Sequence, residues 1–278
     1  MKKIRKLGAL LVATLVIVSS FVACGGKDEG KNSAVDQIKE NGILRVGVFS
    51  DKPPFGYVDS NGENQGYDVF LSKRFAKDLL GDESKVEFVL VDAASRVEFL
   101  QSNKVDIIMA NFTVTDERKE VVDFANPYMK VALGLVSADG TPINSVDDLK
   151  GKKLIVNKGT TADAYFTKNY PEIELLKYEH NTEAFEALKD GRGVALAHDN
   201  TLLFAWVREN KGYSVGVKVL GDQDVIAPAV KKGNVELQEW VNQELDKLGK
   251  EGYIKEAYEK TLLPAYGDSV KSDDVIIQ

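Results

Sequence analysis

The chain has 278 residues, of which 44% are hydrophobic and 28% are charged, a balance typical of globular proteins that excludes a disordered chain or a membrane protein with several spans. The 36 Lys and Arg residues against 43 Asp and Glu residues give a formal charge of −7, so we expect no nucleic-acid partner, because phosphate binding needs a basic surface. A single cysteine excludes an intramolecular disulfide, a zinc cluster built on cysteines and a CxxC redox pair.

The beginning of the chain has the pattern of an export signal. Basic residues between positions 2 and 6 precede an apolar run at 7–23. A cysteine directly after the small Ala23 is typical of bacterial lipoproteins, in which the thiol is acylated and the preceding segment is removed. We therefore expect Cys24 to carry a lipid that anchors the protein to a membrane. The alternative is a retained transmembrane anchor, because the apolar run is near the lower length limit for a span.

Strands and helices alternate after a polar stretch that reads as a flexible tether. Ser33 is a candidate cap of a short helix that Asn41 and Gly42 end. The periodicity then predicts strand 43–49, helix 67–80, strand 86–91, helix 96–102 and strand 105–110. This alternation indicates an α/β protein with a parallel sheet covered on both faces.

A second alternation follows and indicates a second lobe. It comprises strand 129–136, a short helix between Ser145 and Gly151, strand 153–156, helix 161–169, strand 175–178, helix 183–188, strand 194–197, helix 201–209 and strands 217–220 and 225–230. The final helices, around 237–248 and 254–258, have no sheet of their own and are expected to return to the first lobe. The chain would then cross between the lobes near 131–135 and 223–228, which makes a hinge with a ligand cleft beside it.

The sequence contains none of the common catalytic motifs. It lacks GxSxG, HExxH, a phosphate-binding loop and a dinucleotide fingerprint, and we expect no cofactor and no metal. Of its two histidines, His180 and His198, the second lies directly beside Asp199. Neighbouring side chains on a strand point apart, so this pair is not expected to form a catalytic dyad.

Two polar segments lead from predicted strands into helices. Segment 111–118 directly follows the apolar strand that ends at Ala110, so it lies at the carboxyl edge of a sheet, where α/β proteins bind ligands. Its Arg118 is a candidate anion-binding group, with a solvated charge as the alternative. Segment 157–161 opens a helix whose free N–H groups attract anions, and Gly159 lets a ligand approach the backbone. The alternative is an ordinary turn with a threonine cap.

Two further segments are candidates for ligand contacts. In segment 198–200, Asp199 is either a ligand-binding carboxylate or a simple helix N-cap. Segment 50–57 and the Tyr67-Asp68 pair contain aromatic residues that could line an apolar pocket. The alternative is ordinary core packing.

Several short motifs occur along the chain in a recognisable order: Val46-Gly47-Val48, Pro54-Phe55, Gly66-Tyr67-Asp68-Val69, Val105-Asp106, Thr113-Val114-Thr115-Asp116-Glu117-Arg118-Lys119, Val122-Asp123-Phe124-Ala125-Asn126-Pro127-Tyr128, Gly159-Thr160-Thr161 and Asp199. Together these motifs resemble the polar amino-acid solute-binding proteins of ABC importers. The match runs from about Ile38 to Tyr258. Segments 51–58, 96–100, 158–166 and 198–206 are similar to cysteine-binding lipoproteins within this family.

The resemblance implies how the two charged ends of an amino acid are held. Arg118 would clamp the α-carboxylate, because a planar guanidinium fork fits two oxygens, and groups around Thr113, Thr160 and Thr161 would assist it. Asp199 would bind the α-ammonium group, so the resemblance favours ligand binding over helix capping.

The remaining family contacts concern the ligand's side chain. Tyr67 would pack on the ligand, and Ala110 and Asn111 would offer backbone polar groups. Arg96 matches an arginine that contacts the side-chain end of the ligand in relatives that bind acidic amino acids.

One short segment departs from the family pattern. Many relatives stack an aromatic ring just before the Pro-Phe step, where this chain has Asp51 and Lys52. The difference favours a small ligand, and we include Asp51 and His198 among the expected ligand contacts.

The resemblance therefore implies a two-lobed periplasmic-binding-protein fold of type II, with two crossover hinge strands. We expect a signal peptide at 1–23, a tether and helix start at 24–37, a first lobe at 38–131 plus 226–278, and a second lobe at 132–225. The expected protein is a monomer that closes on a small polar L-amino acid, by likeness cysteine, and delivers it to an ABC permease. Aspartate, glutamate or another polar amino acid remains open as the ligand, and an enzyme such as a dehydratase, an adhesin or a sensor remains open as the function.

Overall fold

The computed structural model describes residues 33–277, so the predicted signal peptide, Cys24 and most of the tether lie outside the described residues. Between positions 33 and 277 no helix is both long and apolar enough to cross a membrane.

The described part of the chain alternates strands and helices, here numbered in chain order. The strands are β1 (Leu44–Phe49), β2 (Asp51–Lys52), β3 (Gly56–Val58), β4 (Asn64–Gln65), β5 (Val86–Val91), β6 (Ile107–Ile108), β7 (Val122–Phe124), β8 (Met129–Ala138), β9 (Lys153–Asn157), β10 (Glu174–Tyr178), β11 (Ala195–Asp199), β12 (Tyr213–Ile226) and β13 (Ala229–Lys231). The α-helices are α1 (Ala34–Asn41), α2 (Tyr67–Leu80), α3 (Arg96–Gln101), α4 (Asp116–Lys119), α5 (Thr161–Asn169), α6 (Asn181–Lys189), α7 (Asn200–Glu209), α8 (Val235–Lys250), α9 (Tyr253–Ala257), α10 (Leu263–Tyr266) and α11 (Ser272–Val275). Short 3-10 turns at Glu83–Lys85, Val146–Leu149 and Gly267–Ser269 and a π-helical turn at Tyr258–Leu262 complete them.

Two five-stranded sheets divide the structure into two lobes. The first lobe is built on the order β5-β1-β6-β13-β7, and the second on the order β10-β9-β11-β8-β12. Helices α8 and α9 pack on α1, α2 and β13, so they belong with the first sheet. The two-lobed α/β fold expected from the resemblance is confirmed.

Helix periodicity located the long helices correctly. Helix α2 spans the predicted residues and ends at Gly81, whose φ of 81° is the left-handed conformation that glycine adopts at little cost. The apolar stripe of α8, which includes Leu237, Val241 and Leu248, is buried as its spacing predicted.

The first-lobe strands from which a parallel sheet was predicted, β1, β5 and β6, do pair in parallel, but both sheets are mixed because other strands join them in the opposite direction. β13 runs antiparallel to β6 and β7, and β8 runs antiparallel to β11 and β12. Parallel neighbours must be joined by a crossover connection. β8 and β13 instead enter their sheets in the opposite direction to the strands beside them, so they pair antiparallel. The expected strand 105–110 is also shorter, at Ile107–Ile108, and the two expected strands 217–220 and 225–230 are replaced by the long β12 and the short β13.

Two antiparallel segments connect the sheets. At one end of β8 and β12, Met129 pairs with Ile226, Lys130 with Val225 and Val131 with Asp224. The rest of both strands lies in the second sheet, interrupted by register shifts after Val215. Paired extended segments of this kind permit bending while their ladder hydrogen bonds keep the two connections together.

Candidate functional site

Segments from both lobes meet at the carboxyl ends of strands. β1 runs into β2 with Lys52, β6 is followed by Asn111 and Arg118, and β11 ends at Asp199. In α/β sheets these ends are the usual place for ligands, because helix starts and loop side chains converge there.

Asp199 lies at the centre of this region and is only 4% exposed. Its Oδ2 atom accepts hydrogen bonds from Lys52 Nζ at 2.9 Å and from Asn111 Nδ2 at 2.7 Å, both from the first lobe. The simple capping role is wrong, because Asp199 precedes α7 but its side chain makes no hydrogen bond to that helix. Burial by itself would disfavour the charge, yet the Lys52 ammonium group holds the pKa of Asp199 well below its usual range.

His198 is a buried neutral imidazole beside Asp199. Its Nδ1 accepts the backbone N–H of Asp199 at 2.7 Å, and its Nε2 lies 3.1 Å from Asn181 Oδ1. The side chains of His198 and Asp199 were expected to point apart, which is wrong, since Nδ1 and Oδ2 are 3.5 Å apart where the strand turns into α7. Burial, together with the nearby Lys52, lowers the pKa of His198.

Arg118 joins the two lobes through backbone oxygens. Its guanidinium donates to Thr113 O at 2.7 Å and, across the lobes, to Gly159 O at 2.9 Å, and it stacks 4.6 Å from the centroid of the Phe112 ring. Burial lowers the pKa of Arg118 to about 10, so it stays charged at neutral pH. The alternative of a freely solvated charge is therefore wrong.

Arg96 donates to the same carbonyl oxygen as Arg118, that of Gly159. It is 2% exposed and donates to Ala93 O and Ala110 O at 3.0 Å each and to Gly159 O at 3.3 Å. Burial and the neighbouring Arg118 lower the pKa of Arg96. We refer to Lys52, Asp68, Arg96, Arg118 and Asp199 below as the charge cluster.

The start of α5 closes the site from the second lobe. Thr160 caps the helix by accepting from Asp163 N at 3.2 Å, and its hydroxyl donates to Asn157 O at 2.7 Å. The threonine-cap interpretation therefore describes Thr160 correctly, while Thr161 is the first helical residue. Gly159 has a φ of 71°, and a Cβ there would lie 2.7 Å from the Cα of Ala94 in the first lobe, so no larger residue fits this approach.

Asp51 contacts the start of α6 through Asn181, whose side chain also contacts His198. Its two carboxylate oxygens accept from Asn181 Nδ2 at 2.9 Å and Thr182 N at 3.2 Å, at the start of α6. Successive residues of a strand point to opposite faces, so Lys52 reaches Asp199 while Asp51 bridges to the other lobe elsewhere.

Tyr67 and Asp68 form a fully buried support behind Asn111. Asp68 accepts from Tyr128 Oη at 2.6 Å and from the backbone N–H of Asn111 at 2.9 Å, and it holds Asn111 at a φ of 43°. Tyr67 packs on Tyr128 with ring centroids 5.8 Å apart, and its hydroxyl has no hydrogen-bond partner among residues 33–277. The core-packing interpretation of Tyr67 therefore describes its surroundings.

The motifs assigned no charge-pairing role to Lys52 or Asp68, although both are buried at the centre of the site. The available signal for Lys52 was its place just before Pro53-Pro54-Phe55, where the family resemblance implied an aromatic ring. The signal for Asp68 was a carboxylate one residue into an amphipathic helix, next to apolar residues. Neither signal identifies the interacting residues, because Asp199 is distant from Lys52 along the chain, and Tyr128 and Asn111 are distant from Asp68.

Replacing Asp68 by asparagine is expected to remove a pH-dependent part of the stability. Burial raises the pKa of Asp68 to about 7, so the folded protein keeps a proton that the unfolded chain releases near pH 4. Wild type should therefore lose stability as the pH rises from about 4 to about 7, by at most about 4 kcal/mol from this group. Denaturant titrations of both proteins across this range measure the difference in unfolding free energy. Burial also raises the pKa of Glu244 to about 7, but its contribution is the same in both proteins and cancels when their unfolding free energies are subtracted. A difference that does not change with pH would contradict the expectation.

Comparison with known proteins identifies the family. The family model described as bacterial extracellular solute-binding proteins, family 3, matches residues 44–263. The chain is 37% identical over 265 residues to a glutamine-binding protein of an ABC transporter from Bacillus subtilis (strain 168), covering 92% of this chain and 97% of that protein.

Solved structures give the same result at higher identity. A solute receptor for L-cysteine from Neisseria gonorrhoeae superposes with a TM-score of 0.87 at 60% identity, covering 88% of this chain and 99% of that one. A cysteine-binding protein from Campylobacter jejuni has the same TM-score and coverage at 61% identity. The chain therefore belongs to the bacterial extracellular solute-binding proteins of family 3.

Proposed function

We propose that the protein is the extracytoplasmic amino-acid-binding component of an ABC importer and that its ligand is L-cysteine. The observation that carries this proposal is the 60% and 61% identity to two solved proteins that are described as binding L-cysteine, over 99% of their chains. Family 3 is a family of solute-binding proteins, so the protein is not an enzyme. The glutamine-binding relative is only 37% identical, which favours cysteine over glutamine.

The proposed site holds the amino acid between opposite charges from the two lobes. Arg118 would bind the α-carboxylate through its guanidinium fork, together with the start of α5 at Thr160 and Thr161 and the backbone of Thr113. Asp199 would bind the α-ammonium group. The present contacts support this division, because Asp199 is buried, Arg118 is half-buried, and Asp199 acts electrostatically on Arg118.

Closure of the lobes would make tight binding depend on both halves of the site. Asn111 and Lys52 of the first lobe contact Asp199 of the second, and Arg118 contacts Gly159 across the same gap. Separation of the lobes would return these charges to water, and closure on a zwitterion pairs them again in a low-dielectric interior. The paired charges of the ligand would offset the desolvation cost that an isolated buried charge imposes.

The proposed function also implies a domain arrangement, a membrane partner and a cellular location for the whole chain. We propose lobe boundaries at 38–131 plus 226–278 for the first lobe and 132–225 for the second, and a monomer that docks on a membrane permease. Cys24 would carry the lipid anchor after removal of residues 1–23. A periplasmic or extracellular location agrees with the family description.

L-cysteine is expected to stabilise the protein more than any other proteinogenic amino acid. A ligand at a hundred times its dissociation constant adds about 2.7 kcal/mol to the free energy of unfolding, because it binds the folded state alone. A thermal-shift screen of all proteinogenic amino acids under reducing conditions, followed by calorimetric titration, measures this effect. D-cysteine serves as the control for stereospecific binding. Stabilisation by glutamine or arginine, with no effect of L-cysteine, would contradict the proposal.

A further inference from the structure

Lys52 is a buried lysine at the ligand end of the first lobe. Its side chain is 2% exposed, its ammonium lies 2.9 Å from Asp199 Oδ2, and it stands 5.1 Å from the centroid of the Phe49 ring and 6.0 Å from that of Phe55. A buried ammonium group is costly unless it is paired, so its position against the carboxylate of the opposite lobe is specific.

The fully buried charges around Lys52 carry a cationic surplus. Lys52, Arg96 and Arg118 all act electrostatically on the ionised carboxylate of Asp199. Arg96 is also compensated by Asp92, and Arg118 by Asp224 and Glu117, whereas the carboxylates that act on Lys52 are Asp199 and Asp68. The second carboxylate of the charge cluster, Asp68, is about half protonated at neutral pH, and His198 is neutral. A zwitterion brings equal positive and negative charge and leaves this cationic surplus, whereas a ligand with an additional anionic group would compensate it.

The side chain of the ligand would lie beside Lys52. Under the proposed function the ligand's ammonium group binds Asp199, whose Oδ2 already contacts Lys52 Nζ. In an α-amino acid only two carbon atoms separate that ammonium nitrogen from the first substituent of Cβ. A β-thiol is therefore within reach of the Lys52 ammonium, while a cationic side chain would meet a fixed like charge.

We propose that Lys52 determines the specificity of this site and that L-cysteine is bound as its thiolate, paired with the Lys52 ammonium. This inference rests on the proposed function. On binding, the S–H bond breaks heterolytically, the electron pair stays on sulfur and the proton passes to the solvent, while Lys52 keeps its own proton.

The first test is the number of protons released on binding. Calorimetric titration of wild type with L-cysteine at about pH 7, in two buffers of different ionisation enthalpy, should show about one proton released, because a free thiol with a pKa of about 8.5 is mostly protonated there. L-serine and L-aspartate should release none. Cysteine binding without proton release would overturn the inference and leave the proposed function intact. Tighter binding of L-aspartate than of L-cysteine would overturn both.

The second test removes the lysine charge. Lys52→Met should lower the ratio of cysteine affinity to serine affinity at least tenfold, and Lys52→Arg should largely keep it. The ratio of the two affinities is decisive because cysteine and serine would make the same ammonium contact with Asp199. Any change in that contact would alter both affinities equally and leave the ratio unchanged. Lys153→Met, an exposed lysine paired with Glu174 at 2.9 Å, is the matched control. An unchanged ratio in Lys52→Met would overturn the inference, and if that variant fails to fold, the proton count of wild type decides alone.

Discussion

Replacing Arg118 by alanine is expected to weaken L-cysteine binding about a hundredfold, a loss of about 3 kcal/mol. The guanidinium is the cation that we assign to the ligand's α-carboxylate, and it reaches both Thr113 of its own lobe and Gly159 of the other. Without it, closure would bury a carboxylate that has lost its charged partner. Calorimetric titration measures the affinity directly.

The control for this variant is an arginine of the surface. Arg192 pairs with Asp190 and its side chain is 60% exposed, so Arg192→Ala should bind as wild type does. Arg118→Lys should recover only part of the affinity, because an ammonium group lacks the planar fork. Unchanged affinity in Arg118→Ala would remove Arg118 from the proposed site.

Replacing Asp199 by asparagine is expected to reduce both ligand affinity and stability. The ligand's ammonium group would lose its anionic partner, and Lys52 would remain buried without a counter-charge, which costs about 3 kcal/mol of unfolding free energy. Because its folded pKa is depressed, Asp199 stabilises wild type above about pH 4 and loses this effect on acidification. Denaturant titrations at neutral and acidic pH should show that the variant lacks this loss.

A double variant separates the two effects of Asp199. Lys52→Met combined with Asp199→Asn removes both charges and should recover much of the stability, since the buried lysine is gone. Ligand binding should not recover, because the ammonium partner is still missing. Recovered binding in the double variant would show that Asp199 acts only through Lys52.

The sequence was sufficient for most elements and for part of the site. Helix α2 and the buried stripe of α8 followed from spacing, because helical periodicity is a local property of the chain. Arg118 and Asp199 were identified by their motifs and by their places after buried strands. The sheets were harder to predict, because the direction of β8 and β13 depends on which distant strands they meet.

The amino-acid sequence by itself determined the family, the long helices and the two residues of opposite charge expected at the ends of the ligand. Only the tertiary structure decided that Lys52, and not its neighbour Asp51, meets Asp199 across 147 positions of the chain. Strand alternation separates the two neighbours, but which of them turns toward the other lobe's carboxylate depends on how the sheets are placed. Pairing between distant charges is set by that packing, and no local pattern encodes it.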